Sequence, residues 1–176
     1  MGTSEQQPAE VWLQLRNQAL TASPQTFGVT VDTDASLPWG IVMDWTSTFG
    51  TATLFAAQNG HAGLYLSNGL TLIGGDEHEQ VRHAAAEFVA SANRCVHAIQ
   101  DMQSPEPPAV NQITFHIRTP AGTLTATAHV DVLTGENHVL SELSQHGQRV
   151  LSELNALATD RVRSVNTARK SWWKFW

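Results

Sequence analysis

Cysteine is almost missing from this sequence, Cys95 being the only one among 176 residues. A lone thiol excludes an internal disulfide and any zinc site built on several cysteines, which fits a reducing compartment. Charge is scarce as well, at 15% of residues against about a quarter in an average globular chain. Intrinsic disorder is thereby excluded, because disordered chains are rich in charge and poor in aliphatics, and 41% of this chain is hydrophobic. No apolar run approaches the roughly 20 residues that a bilayer span needs. The opening MGTSEQQPAE has neither a basic region nor an apolar stretch that would make a signal peptide, so a cytoplasmic protein is expected. A chain of this length fits one domain.

Lysine is scarcer still: both copies, Lys170 and Lys174, lie in the last sixteen residues, together with Arg161, Arg163 and Arg169. Residues 1–160 hold five arginines against all sixteen carboxylates, a net charge of −11, while residues 161–176 carry +5. Trp172, Trp173 and Trp176, half of the tryptophans, share that segment. A shift this abrupt divides the chain into a single α+β domain over 1–160 and a basic, aromatic tail over 161–176. Nucleic acid is an unsuitable partner for the acidic body, since phosphate binding needs a broad basic footprint.

Periodicity supplies the fold class. AEVWLQLRNQAL places Val11, Trp12, Leu15 and Ala19 at helical spacing behind Pro8, which predicts a short N-terminal helix. FGVTV, between Thr21 and Gly40, reads as a short edge strand. From Ile41 the period becomes two, and Gly50, Asn59-Gly60 and Asn68-Gly69 then punctuate strands about nine residues apart. The Asn-Gly pairs suggest type I′ hairpins. Asp76 is a candidate cap for the next helix. In that helix Val81, Ala85, Phe88, Ala92, Cys95, Ile99 and Met102 alternate steps of four and three, predicting a long helix over some 22 residues that ends at SPEPPA.

ITFHIRT and TLTATAHVDV then form a hairpin. Its two apolar sets fall on one face only if paired positions have an odd sum, such as His116 with Thr125 and Arg118 with Thr123, joined by an even-numbered loop. A last long helix follows from the stripe Leu140, Leu143, Gly147, Val150, Leu154 and Leu157. The expected architecture is α+β: an antiparallel meander sheet of about five to six strands, one face packed by two long helices, with a short N-terminal helix.

Several chemistries fail on spacing. HEQVRH sets two histidines five apart, about 140° round a helix, whereas a zinc-protease helix needs them four apart. Glu79, His83 and Glu87 do align at steps of four, but such pairs are ordinary solvated helix surface. IGGDEHE lacks the lysine of a phosphate loop and carries carboxylates where an anion would sit. Gly-x-Ser-x-Gly is absent, and Cys95 falls in a core stripe as an inert thiol. His116, Arg118, His129 and Asp131 line the polar side of the second hairpin as a candidate surface site. In the register above His129 lies about 13 Å from His116, too far for a shared metal, while His129 and Asp131 are neighbours that orient one another. No catalytic residue, metal or cofactor is expected.

The stretch GTATLFAAQNGHAGLYLSNGLTLIGGDEHEQVRHAAAEFV, with WGIVMDW before it and HVDVLTGENHVLSEL after it, resembles a group of small bacterial α+β proteins without an assigned activity. The resemblance covers roughly residues 38–155 and implies no activity. The element order is loosely similar to that of roadblock and profilin-like domains.

The tail is the functional feature. On a helical projection Trp172, Val165, Trp176, Val162 and Trp173 share one arc extended by Phe175, and Lys170, Arg163 and Lys174 lie opposite. Trp172, Trp173, Phe175, Trp176, Arg163, Lys170 and Lys174 are the expected docking residues. Three fates compete: folding back on the core, docking to a protein partner, or lying at the inner face of a membrane. The expected function is a non-catalytic adaptor bound to a protein through this tail. The alternatives are a peripheral membrane-surface protein, or a small ligand-binding protein or enzyme with an unrecognised site.

Overall fold

The computed structural model describes residues 7–31, 34–74, 77–101, 105–135 and 138–172. Helix α1 spans Pro8–Thr21, with Pro8 in its first turn, where the missing N–H costs nothing. Strands β1 (Gly40–Ser47), β2 (Gly50–Ala57), β3 (Ala62–Leu66) and β4 (Thr71–Ile73) form a meander. Helix α2 (Glu79–Ser91) leads to a two-residue strand β5 (Gln100–Asp101), then to the hairpin β6 (Gln112–Thr119) and β7 (Gly122–His129). A single turn, α3 (Val130–Leu133), precedes the long helix α4 (Ser141–Trp172). The fold is α+β, with a six-stranded antiparallel sheet extended at one edge by β5, in the order β4-β3-β2-β1-β6-β7-β5.

The second hairpin has the register that its apolar pattern demands. His116 pairs with Thr125 and Arg118 with Thr123, across a two-residue loop between Thr119 and Gly122. Ile113, Phe115 and Ile117 consequently enter one core together with Leu124, Ala126 and Ala128. The same face receives Ile41 and Met43 of β1 and Leu54 of β2, covered by Val81, Ala85 and Phe88 of α2 and Leu143, Val150 and Leu154 of α4. Each phenyl or aliphatic side chain buried there contributes about 1.5–3 kcal/mol. Gly147 lets α4 approach closely, since a Cβ at that position would stand 2.7 Å from Met43 Sδ.

The opposite face is also covered, contrary to a sheet packed on one side alone. Trp12, Ala19 and Leu20 of α1 join Val29 and Trp39 of the connecting segment over Val42, Phe55, Ala57 and Tyr65. Phe27 completes this second core, its ring centroid 4.2 Å from that of Phe55. FGVTV forms no strand: Pro24–Phe27 is a 3-10 turn closed by Gly28 at φ 66°, and Val29 is buried. The segment plugs the sheet rather than extending its edge. A central strand with both faces buried explains why GIVMD in β1 is apolar on either side.

Two further expectations are corrected. The long helix after β4 ends at Ser91, where the Ser91 hydroxyl donates to Phe88 O at 2.7 Å, and the chain continues as 3-10 turns over Ala92–Arg94 and Val96–Ala98. Ala92, Cys95 and Val96 stay buried, so the stripe reports burial correctly while the backbone tightens to deliver β5 to the sheet edge. His78 occupies the N-cap; Asp76 lies outside the described residues, as does Met102. The Asn-Gly turns are not type I′. Only the glycines have positive φ, with Gly60 donating to Ala57 O and Gly69 to Leu66 O, the pattern of a type I turn followed by a left-handed glycine.

Helices α2 and α4 run antiparallel, tied by Arg149 to Glu87 at 2.6 Å, while Arg94 of the turn after α2 pairs with Glu142. The backbone of α4 is one helix across position 160, where the sequence divides in charge. Up to residue 159 Leu154 is the last buried residue of α4, and Leu157 packs against the same core. Truncation after Asp160 is therefore expected to leave a cooperative thermal transition; its loss would place the tail in the core. Gly60 and Gly74 give a second check, since both have φ near +85° but only at Gly60 would a Cβ meet the Arg82 backbone, at 2.9 Å. Gly60→Ala should cost about 2–4 kcal/mol in chemical denaturation and Gly74→Ala about 1 kcal/mol.

Candidate functional site

The most concentrated polar chemistry lies beneath α1. Asp44, central in β1, points to the second face beside Val42, and Arg16 reaches it from α1 with both Nε and Nη2 on Oδ2, at 2.9 and 2.8 Å. Thr53 of β2 donates to Oδ1 at 2.5 Å and accepts from the Trp12 indole at 3.1 Å. His116 of β6 places Nε2 3.3 Å from Asp44 Oδ2, but out of line for a hydrogen bond, and its Nδ1 meets the Thr125 hydroxyl at 3.2 Å. Arg16, Asp44, Thr53 and His116 are all buried. Burial alone would push the Asp44 carboxyl up; His116, Arg16 and Thr53 together outweigh it and hold the carboxyl below its ordinary value. With its oxygens so engaged, the cluster clamps α1 to the sheet.

The four residues proposed as a polar surface site are not brought together. His116 belongs to the buried clamp, because α1 covers the face that a one-sided sheet would leave wet. Arg118 turns toward the end of α1, donating to the carbonyls of Ala19, Leu20 and Ala22, and stands 5.1 Å over the Trp39 ring. These are the carbonyls a helix C-terminus leaves unpaired, and a cation there also suits the helix dipole. His129 ends β7 and caps α3 by accepting from Asp131 N–H at 3.4 Å. Asp131 is therefore on a helical turn, with its carboxylate 3.3 Å from the His129 ring in an exposed pair. That pair lies at the junction of β7 and α3, four residues along from Thr125, the strand partner of His116.

Elsewhere Cys95 is buried, and its surroundings raise the thiol pKa. His83 and Glu87 form an exposed i,i+4 pair, and among the described residues no group of three potential ligands could hold a metal. A shallow depression of about 450 Å³ beside α2 is lined by Gln58, Asn59, Glu79, Arg82 and His83. Its two amides are spent on Thr30 O and Phe27 O.

Compared with protein-family models, curated proteins and solved structures, the chain matches none. Function is therefore argued from its own residues.

Two features remain. Arg163, Lys170 and Trp172 lie on the helical backbone of α4, whereas Trp173, Lys174, Phe175 and Trp176 lie outside the described residues. The other was missed in the sequence: at the β1–β2 end of the sheet, Phe49 is 98% exposed at a hairpin tip and Trp45 is 40% exposed beside it. They border a depression of about 200 Å³ with Ala52 and Leu66. A two-residue loop carrying phenylalanine instead of Asn, Asp or Gly was the available signal.

Breaking the clamp should be expensive. Asp44→Asn is expected to cost about 3–5 kcal/mol at pH 7, because Arg16 is left buried without its counter-charge. The folded carboxyl lies below its unfolded value of about 3.9, so its stabilisation is present above that pH and fades as pH falls through the folded value. Denaturant melts between pH 2 and 7 should show a steeper acid limb in the wild type than in Asp44→Asn. A variant within 1 kcal/mol of wild type, with the same limb, would mean that the pair is no clamp.

Proposed function

We propose that this protein is a non-catalytic adaptor that docks to a protein partner through the basic, aromatic end of α4. One observation carries the reading: the backbone of α4 continues as one helix from residue 160, where the charge of the sequence changes sign, to Trp172. An isolated helix of that length is marginal in water, and most helices are held by packing of an apolar face. Drawn as a helix, the sequence over 161–176 groups Val162, Val165, Trp172, Trp173 and Trp176 on one arc, with Arg169 among them, and Arg163, Lys170 and Lys174 on the other. Tryptophan combines a large apolar area with an indole N–H, which is why it recurs among residues that dominate binding energy.

A membrane surface is the competing occupant, because tryptophan and cations on opposite arcs also suit a lipid interface. The protein reading is preferred on charge, since the acidic body would be repelled by anionic headgroups. No helix among the described residues is long and apolar enough to cross a membrane.

Replacing Trp172, Trp173 and Trp176 together with Ala should abolish co-purification of bound protein while the thermal transition of the body is kept. Flotation with anionic vesicles is expected to leave the wild type in the unbound fraction. If it floats instead, and loses about 1 kcal/mol of binding for each of Arg163, Lys170 and Lys174 neutralised, the partner is lipid and the adaptor reading fails.

A further inference from the structure

We propose that Asn68-Gly69 is a self-modifying site: Asn68 loses ammonia and becomes an aspartyl or isoaspartyl residue at the rim of the Trp45–Phe49 depression, while Asn59-Gly60 is protected by the fold. These two are the only Asn-Gly pairs in the chain. The site stands whatever the end of α4 binds.

The reaction needs only water. The Gly69 amide nitrogen gives up its proton and attacks Asn68 Cγ; the Cγ–Nδ2 bond breaks, ammonia leaves with that proton, and a five-membered succinimide forms. Water then adds to one of the two ring carbonyls and opens the ring to an aspartyl or an isoaspartyl linkage. Glycine permits this because no Cβ obstructs its nitrogen as the backbone rotates. The fold must supply three things: a side-chain amide free to turn, a glycine nitrogen released from its hydrogen bond, and room for the chain to move.

The two turns have the same backbone. Gly60 and Gly69 have φ of 88° and 90°, and they donate to Ala57 O at 2.9 Å and to Leu66 O at 2.8 Å. Each asparagine Oδ1 accepts from the N–H two residues on, that of His61 at 3.2 Å and that of Leu70 at 3.1 Å. Their surroundings differ. Asn59 Nδ2 also donates to Phe27 O at 2.9 Å, which bolts the side chain to the 3-10 turn of the second core, whereas among the described residues Asn68 is held through Oδ1 alone. Gly60 is buried against α2, where a Cβ would stand 2.9 Å from the Arg82 backbone. Gly69 is half-buried beside Pro8, in the first turn of α1.

Opening the turns also costs different amounts. The first joins β2 to β3, both interior strands, and Ala57 and Ala62 at its base are fully buried. The second joins β3 to β4, a three-residue strand at the sheet edge with Thr71 and Ile73 exposed. Releasing the Gly69 nitrogen therefore frays one edge, whereas releasing that of Gly60 disturbs contacts on both faces of the sheet. Local opening is nearly free at a fraying edge and approaches the global stability inside a core. Asn68 consequently reacts from the folded state, and Asn59 only through extensive unfolding.

The product changes a surface. Asn68 lines the depression with Trp45, Phe49 and Leu66, and no charged side chain lies among its walls. The reaction places a carboxylate there. The isoaspartyl form adds a carbon to the backbone as well, which moves Gly69 out of register with Leu66 O and loosens β4. The depression thus passes from uncharged to anionic as the molecule ages, without an enzyme.

Ageing the full chain at physiological temperature in mildly alkaline buffer, folded and in urea, tests this by peptide mass spectrometry. Isoaspartyl groups are counted by methyl transfer from S-adenosylmethionine with a protein-isoaspartate methyltransferase. In the folded chain the Asn68 peptide should convert from amide to acid about tenfold or more faster than the Asn59 peptide. In urea the two should convert at similar rates, and Asn68→Ser should remove methyl acceptance from the folded chain with an unchanged thermal transition. Equal conversion of both asparagines in the folded chain, or conversion of neither, overturns the proposal. A preference for Asn68 that persists undiminished in urea also overturns it, since neighbouring residues and not the fold would then set the difference.

Discussion

The ion pair between Arg16 and Asp44 sets the terms for the rest of the molecule. A carboxylate at the centre of the sheet, with no exposed surface, is tolerated only with a counter-charge and hydrogen bonds in place. Arg16 supplies the charge, and it can do so only if α1 lies across the second face at one height and one rotation. That placement seats Trp12 on Thr53 and puts Ala19 and Leu20 in the aromatic core. It also brings the last carbonyls of α1 to Arg118. Apolar packing alone would let α1 slide; the buried charges penalise every other register by leaving one of them unpaired.

The two faces of the sheet are built differently because their covers differ. Toward α2 and α4 the core is aliphatic with Phe88 and Phe115, as suits two helices whose stripes interlock at Gly147. Toward α1 a single helix cannot span the sheet, and an irregular segment fills the remaining area with Phe27, Val29 and Trp39. Large rings serve a segment with few residues in contact, since each covers much surface. Arg118 then spans the join, stacking on Trp39 while holding α1.

What could be read in advance follows from how local each signal is. The β6–β7 register was legible to the residue, because a slip by one would expose Ile113, Phe115 and Ile117 together. The stripe from Val81 to Cys95 was legible as burial but not as helix length, since 3-10 turns over Ala92–Ala98 keep the same side inward. Asn-Gly announced turns at 59 and 68 without distinguishing a two-residue loop from a longer one with a left-handed glycine. The clamp was not legible: Arg16 and Asp44 are 28 positions apart, and no spacing rule joins a helix residue to a strand residue that distant. Its trace was an acid inside IVMDW, at a position where a central strand otherwise spends apolar side chains. The tail's composition was plain, whereas the exposed Trp45 and Phe49 were not, because exposure at one end of a sheet appears only when strands are ordered.

The exposed ring of Phe49 is informative because local folding requirements do not explain it. The β1–β2 connection places its unusual backbone at Gly50, with φ 127°, so Thr48 and Phe49 are free of any left-handed demand and almost any polar residue would turn the chain. Ser47 already secures the loop, its hydroxyl accepting from Phe49 N–H and donating to Gly50 O. A phenyl ring almost fully in water adds nothing to that turn and raises the risk of non-specific association. The acidic body offsets this risk between bodies by repulsion. The exposed hairpin tip is thus a feature that the turn itself does not require.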